Sequence, residues 1–121
     1  MWVIKQNIHH PLSYAVQTRK AWVRKMANIT YLEDPLETEA LYEKLCPPVR
    51  NWFKNKFPDF TDPQKLAIPS IMNGDHLLLC SPTGSGKTLT AFLTIIDKLV
   101  REALDGTLEN RVYCLYISPI K

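Results

Sequence analysis

Ser81-Pro82-Thr83-Gly84-Ser85-Gly86-Lys87-Thr88 leads from an apolar run into an amphipathic one, and it has the pattern of a phosphate-binding loop. Four free positions precede Gly-Lys-Thr. Gly84 and Gly86 permit backbone angles that a Cβ would forbid, so successive amide N–H groups can turn inward. Those amides, together with the positive end of the helix that follows, form a cradle for phosphate oxygens. Lys87 supplies a mobile positive charge for the β- and γ-phosphates, and Thr88 supplies a hydroxyl for Mg²⁺. Ser81 stands where the strict pattern has glycine. The alternative to a nucleotide site is a purely structural strand-turn-helix.

The flanks agree with a nucleotide site. His76-Leu77-Leu78-Leu79-Cys80 is a short apolar run, as expected of a buried parallel strand. Leu89, Phe92, Leu93, Ile96, Leu99 and Val100 recur at three- and four-residue spacing, which predicts a helix over about 86–104. Asp105-Gly106 makes a turn. Arg111-Val112-Tyr113-Cys114-Leu115-Tyr116-Ile117 reads as a second strand. Strand, helix and strand in this order predict a right-handed βαβ unit with parallel strands, hence an α/β fold.

Three shorter helices are expected upstream. Asp34, Pro35 and Glu37 have the pattern of a capped helix start, with Leu41 and Leu45 on one face. Pro47-Pro48 stops that helix and opens another. Val49, Trp52, Phe53 and Phe57 line one side of the second helix, and Arg50, Lys54 and Lys56 make a solvated basic face that could also meet nucleic acid. Thr61 or Asp62 caps a third helix, which Gly74 closes and Pro69 should bend or shorten.

At 121 residues the chain allows one small domain. No apolar stretch approaches the roughly 20 residues that span a bilayer. Cys46, Cys80 and Cys114 lack metal-ligand spacing and read as buried free thiols of a reducing compartment. His9-His10 has no partner cluster. The net charge of +3 is uneven: Lys5, Arg19, Lys20, Arg24 and Lys25 face no acid in residues 1–25, whereas the rest holds 10 basic and 12 acidic side chains. Residues 1–33 are therefore expected to form a basic, poorly ordered leader, with Met26 as an internal start. A nucleic-acid-binding arm and an organelle-targeting leader are the other readings.

The residues from about 36 to 121 resemble the superfamily 2 helicases, within them the large helicase-related (Lhr) group. The likeness lies in Phe60-Thr61-Asp62-Pro63-Gln64, Asn73-Gly74-Asp75, Ser81 through Thr88, Leu89-Thr90-Ala91-Phe92-Leu93 and Tyr116-Ile117-Ser118-Pro119-Ile120-Lys121. Asp62 departs from a frequent Pro, and Ile120 from a frequent Leu or Thr.

The resemblance implies a P-loop, RecA-like parallel sheet, here incomplete, preceded by an α-helical segment, with residues 34–121 as part of the ATP-binding domain. ATP and Mg²⁺ are the implied cofactors. Phe60, Thr61, Gln64, Pro82, Thr83, Gly84, Ser85, Gly86, Lys87, Thr88 and Leu89 would bind the nucleotide, Gln64 by pairing its amide with the adenine edge. Lys87 and Thr88 would serve catalysis, with Thr88 on the metal. Ser118, Pro119 and Lys121 would touch the nucleic-acid backbone.

Motif II with its acidic pair and the second RecA-like domain, both needed for hydrolysis, do not occur within the 121 residues. The implied function is the ATP-binding portion of a cytoplasmic, ATP-dependent DNA helicase, partnered by the rest of that helicase and by DNA or RNA, and inactive in unwinding by itself. An RNA helicase of the DEAD-box or a related type and a non-catalytic remnant or binding module are the alternatives.

Overall fold

A computed structural model describes residues 2–6 and 29–119. In chain order the elements are β1 (Trp2–Gln6), β2 (Ile29–Tyr31), α1 (Thr38–Lys44), α2 (Pro47–Lys56), α3 (Asp62–Met72), β3 (His76–Cys80) and α4 (Lys87–Leu104). The three strands form one sheet in the order β2-β1-β3. Both pairings are antiparallel, with Ile4 opposite Tyr31 and Val3 opposite Leu79. Two of the strands thus fall in the stretch 1–33 expected to be a leader.

α3 packs on both sides. Its Ile68 joins Leu41, Tyr42, Leu45, Cys46, Val49, Phe53, Phe60 and Leu93 in a helical core. Leu66 and Ala67 form a second cluster, on which Leu77 and Leu79 of β3 and Leu32 rest. An aromatic stack fills the first core: the Phe53 and Phe60 rings lie 4.1 Å apart and nearly parallel, and Tyr42 tilts against Phe60 at 4.8 Å.

Pro69 neither shortens α3 nor leaves a backbone group stranded. A proline has no N–H to give the carbonyl four residues earlier, here that of Lys65. The Leu36 N–H donates to this carbonyl instead, at 3.3 Å. The same bond explains why Asp34 and Pro35 do not open α1. It ties residue 36 to α3 in an extended path, and the helix begins at Thr38 with Glu37 as an extended N-cap.

α2 starts with two prolines and has no cap from its own N-cap residue, Cys46. The cap comes from far along the chain. Asp97, buried in α4, accepts the Cys46 N–H at 2.6 Å and the Arg101 Nε–H at 2.6 Å. Arg101 also donates to the Lys44 carbonyl. A carboxylate at a helix N-terminus opposes the partial positive charge there. Burial pushes the Cys46 thiol up, so it stays neutral beside that carboxylate. The hydrogen bond to Asp97 raises Arg101 in turn.

Several expectations need correction. Residues 111–117 are not a strand, and no parallel βαβ unit forms among the described residues. Branched and aromatic residues favour a pleated, half-covered surface with a neighbour to pair with. Among the described residues this segment pairs with no strand, and although Tyr116 rests on Phe92, Val112, Leu115 and Ile117 are at least 80% exposed. Leu77 and Leu79 of β3 are half-buried, whereas Leu78 is exposed, because among the described residues helix packs on one side of the sheet only. For the same reason Cys80 is exposed, as is Cys114 in the unpaired segment; only Cys46 is buried. On α2, Val49 and Phe53 are buried, but Trp52 and Phe57 are exposed. Among the described residues no helix is long and apolar enough to cross a membrane.

Asp97→Ala removes the remote cap and leaves the Cys46 N–H and Arg101 without their acceptor. It is expected to lower unfolding free energy by about 3 kcal/mol in a urea titration. Asp97→Asn, which keeps one acceptor oxygen, is expected to cost about half as much.

Candidate functional site

β3 delivers the chain to residue 80, and α4 departs at Lys87. The six residues between them form a tight loop held from within and from α3. Thr61, the N-cap of α3, and Gln64, three residues on, make a capping box in which the Gln64 Oε1 accepts the Thr61 N–H at 2.9 Å. The Thr61 hydroxyl then reaches across to donate to the Ser85 carbonyl at 2.9 Å. Gln64 is 3% exposed, and its amide lies directly over Gly86. Two residues of α3 thus hold the far end of the loop.

Gly86 is required twice. It is the N-cap of α4 at φ +83°, and a Cβ there would come within 2.6 Å of the Gln64 Nε2. Gly84 has a similar φ of +85°, but a Cβ on it would meet nothing within 4 Å. The space over Gly84 is open, which suits a concave, amide-lined cradle.

Inside the loop, the Lys87 Nζ donates to the Ser81 carbonyl at 2.5 Å and to the Pro82 carbonyl at 2.8 Å. The ammonium therefore bends back over the loop. Neutral carbonyls are weaker acceptors than charged phosphate oxygens, so an arriving phosphate can take this lysine from them. The Ser81 and Ser85 hydroxyls share a short hydrogen bond across the loop mouth. Ser81 stands where the strict pattern has glycine, and its hydroxyl closes the turn. Thr88 is exposed in the first turn of α4.

The structure gathers Thr61, Gln64, Ser85, Gly86 and Lys87 around one loop, with Pro82, Thr83 and Gly84 exposed on it. It places other expected residues elsewhere. The Phe60 ring is 4% exposed in the aromatic stack, so only its backbone adjoins the site. Leu89 packs on the helical core. Ser118 and Pro119 lie exposed in the segment without regular structure, where the Ser118 hydroxyl donates to the Pro119 carbonyl at 3.3 Å. Lys121 lies outside the described residues. Among the described residues no cluster of three His, Cys, Asp or Glu side chains could hold a metal.

Asp59, not singled out in the sequence, borders the site. Its Oδ1 accepts the Thr38 hydroxyl at 2.8 Å and the Phe60 N–H at 2.6 Å, and its Oδ2 accepts from the Lys65 Nζ at 3.0 Å. These donors, the Thr38 hydroxyl foremost, hold its carboxyl below the usual range.

A family model described as DEAD/DEAH box helicase matches residues 61–121. The ATP-dependent helicase Lhr-Core of Methanocaldococcus jannaschii is 47% identical over 96 residues, 79% of this chain and 11% of that protein. Its namesake from Methanothermobacter thermautotrophicus is 56% identical over 81 residues, covering 67% and 9%. The Lhr helicase/uracil glycosylase of Escherichia coli is 38% identical over 95 residues, covering 74% and 6%. The chain therefore spans about a tenth or less of the length of the curated relatives it matches. No solved structure matches it.

The two loop glycines separate backbone strain from collision. Gly84→Ala is expected to cost about 1–2 kcal/mol for the left-handed conformation alone. Gly86→Ala is expected to cost more, because it adds displacement of a buried, hydrogen-bonded glutamine. Urea unfolding of both variants tests the order; equal costs would show that Gln64 does not press on Gly86.

Proposed function

Since the chain belongs to the DEAD/DEAH box helicase family, we propose that the loop at 81–88 binds the phosphates of ATP and that Gln64 reads the adenine. The observation that carries this reading is the joining of the two sequence motifs in space, with the Thr61 hydroxyl on the Ser85 carbonyl and the Gln64 amide over Gly86. A base held at the start of α3 and phosphates held at the start of α4 would share one rigid frame. The Gln64 Oε1 has a second lone pair beyond the one that serves Thr61, and its Nε2 carries two protons; adenine's paired donor and acceptor edge suits that combination.

On this reading, the backbone amides of residues 84–88 hold the phosphates at the α4 N-terminus. Lys87 leaves the Ser81 and Pro82 carbonyls for the β- and γ-phosphate oxygens. The fit to Mg²⁺ rests on the exposed Thr88 hydroxyl, a hard oxygen donor at the α4 start. When bound, Mg²⁺ supplies neutralisation of phosphate charge. We propose further that these residues serve the RecA-like domain of an ATP-dependent DNA helicase of the length of the relatives, acting in the cytoplasm. There ATP hydrolysis would drive movement along a nucleic-acid strand, with Ser118, Pro119 and Lys121 against its backbone and the acidic motif and arginine finger supplied by the rest of that helicase.

Calorimetric titration of the 121-residue chain with ATP, with and without Mg²⁺, tests the reading. Binding at about micromolar Kd is expected, weakened about ten- to a hundredfold by Lys87→Ala through loss of charge-assisted hydrogen bonds. A helical chain that binds no ATP, or a variant that binds as well as the parent, would overturn it.

A further inference from the structure

We propose that Asp59 is a positioning residue for base recognition, setting the 60–64 segment through which the base is read. The inference rests on the assignment of Gln64 to adenine and adds the group that holds that glutamine's frame in register.

The argument begins with three donors that converge on one carboxylate from three places. Thr38 is the first residue of α1, Phe60 lies in the turn before α3, and Lys65 lies in the first turns of α3. A charged acceptor serving three donors fixes their relative positions more firmly than separate neutral bonds would. The next residue along, Phe60, is locked at both ends. Its N–H is held by Asp59 and its ring by the stack on Phe53.

With residue 60 fixed, Thr61 has little freedom. Its N–H meets the Gln64 Oε1 and its hydroxyl meets the Ser85 carbonyl. Hydrogen bonds thus tie the start of α1 to Asp59 and Asp59 to Phe60, the backbone carries the link to Thr61, and further hydrogen bonds run from Thr61 to Gln64 and the phosphate loop. Asp59 is itself half-exposed and touches neither the loop nor the space over Gly84. Its influence on a ligand passes through Thr61 and Gln64. Loss of Asp59 should therefore disturb reading of the base more than the phosphate cradle, whose Gly84 and Lys87 have no bond to this segment and which meets it only through the Thr61 hydroxyl and the Gln64 amide.

The test compares ATP, GTP and inorganic tripolyphosphate binding by the 121-residue chain and its Gln64→Ala, Asp59→Ala and Asp59→Glu variants, with circular dichroism as the check of helix content. The expected result is a preference for ATP over GTP that Gln64→Ala abolishes and Asp59→Ala reduces about three- to tenfold, the range of one ordinary net hydrogen bond. Tripolyphosphate affinity should stay within about twofold, and Asp59→Glu should recover part of the preference.

If Gln64→Ala abolishes the preference and Asp59→Ala retains it, the role of Asp59 is overturned and the base reading stands. If the parent has no preference, or Gln64→Ala keeps it, the base reading fails and this inference falls with it. An equal loss for all three ligands on Asp59→Ala would overturn the positioning role in favour of general support of the fold. Should Asp59→Ala lose its helices, Thr38→Val and Lys65→Met each remove one donor. Each is then expected to give a smaller loss of preference in the same direction, and unchanged preference in both overturns the proposal.

Discussion

The contact of the Gln64 amide with the bare Cα of Gly86 is the constraint around which the loop is built. A Cβ on residue 86 would come within 2.6 Å of the Gln64 Nε2, so this placement of the amide against the start of α4 needs a glycine there. That close approach lets the Thr61 hydroxyl reach the Ser85 carbonyl, and it puts the N-termini of both helices beside the same loop. Helix N-termini carry partial positive charge from their unsatisfied N–H groups. Two of them, with Lys87 as the first residue of α4, make this end of the molecule suited to an anion. The price of holding α3 here is a glutamine taken almost wholly out of water, which is tolerable because its oxygen caps the helix it belongs to.

α3 can play this part because it is buried on two sides and the carbonyl its internal proline would strand is still answered. Ile68 faces the helical core while Leu66 and Ala67 face the sheet. Pro69, which should break such a helix, instead frees the Lys65 carbonyl for Leu36 and so docks the strand-like approach to α1. Asp97 performs the matching service from α4, capping α2 across the core. The helices are therefore cross-linked by single polar groups at their ends, while apolar contacts fill the space between. Both devices connect residues far apart in the chain, so a local loss of either would be felt by a helix that lies nowhere near it in sequence.

The parts legible in the sequence were those whose cause is local. The strand-loop-helix at 76–104 follows from an apolar run, two glycines and a helical repeat, and the cap of α3 from the spacing of Thr61 and Gln64. The parts that were not legible depend on partners distant in the chain. Asp97 sits on a helical face beside Thr90, Leu93 and Thr94, and nothing in its neighbours shows that it meets Cys46. The apolar stripe read as Leu89, Phe92, Leu93 and Ile96 is rotated in the structure, because a buried carboxylate and two threonines take the inner line and Ile96 turns outward. The strand read at 111–117 had the right residue types, yet strand formation needs an edge to pair with. β1, an antiparallel partner drawn from residues 2–6, takes one edge of β3, and 111–117 does not pair with the other edge, which the order β2-β1-β3 leaves at the margin of the sheet. At the site, Asp59 escaped notice because its three donors come from positions 38, 60 and 65, a grouping that only folding creates.

The state of Lys87 bears on how such a loop could work. Its ammonium already lies within the curve of the loop, on the carbonyls of Ser81 and Pro82. Phosphate binding would then require no long-range delivery of charge. It would exchange two neutral acceptors for charged ones, and charge-assisted hydrogen bonds are roughly twice as strong as neutral ones. Of the two carbonyls released by that exchange, the Pro82 carbonyl is exposed, so water can satisfy it at little cost. The Ser81 and Ser85 hydroxyls, bonded to each other, would each be released by a rotation about one bond. The loop thus keeps its own donors engaged internally and can release them one by one, while Thr61 and Gln64 hold the frame in which the exchange takes place.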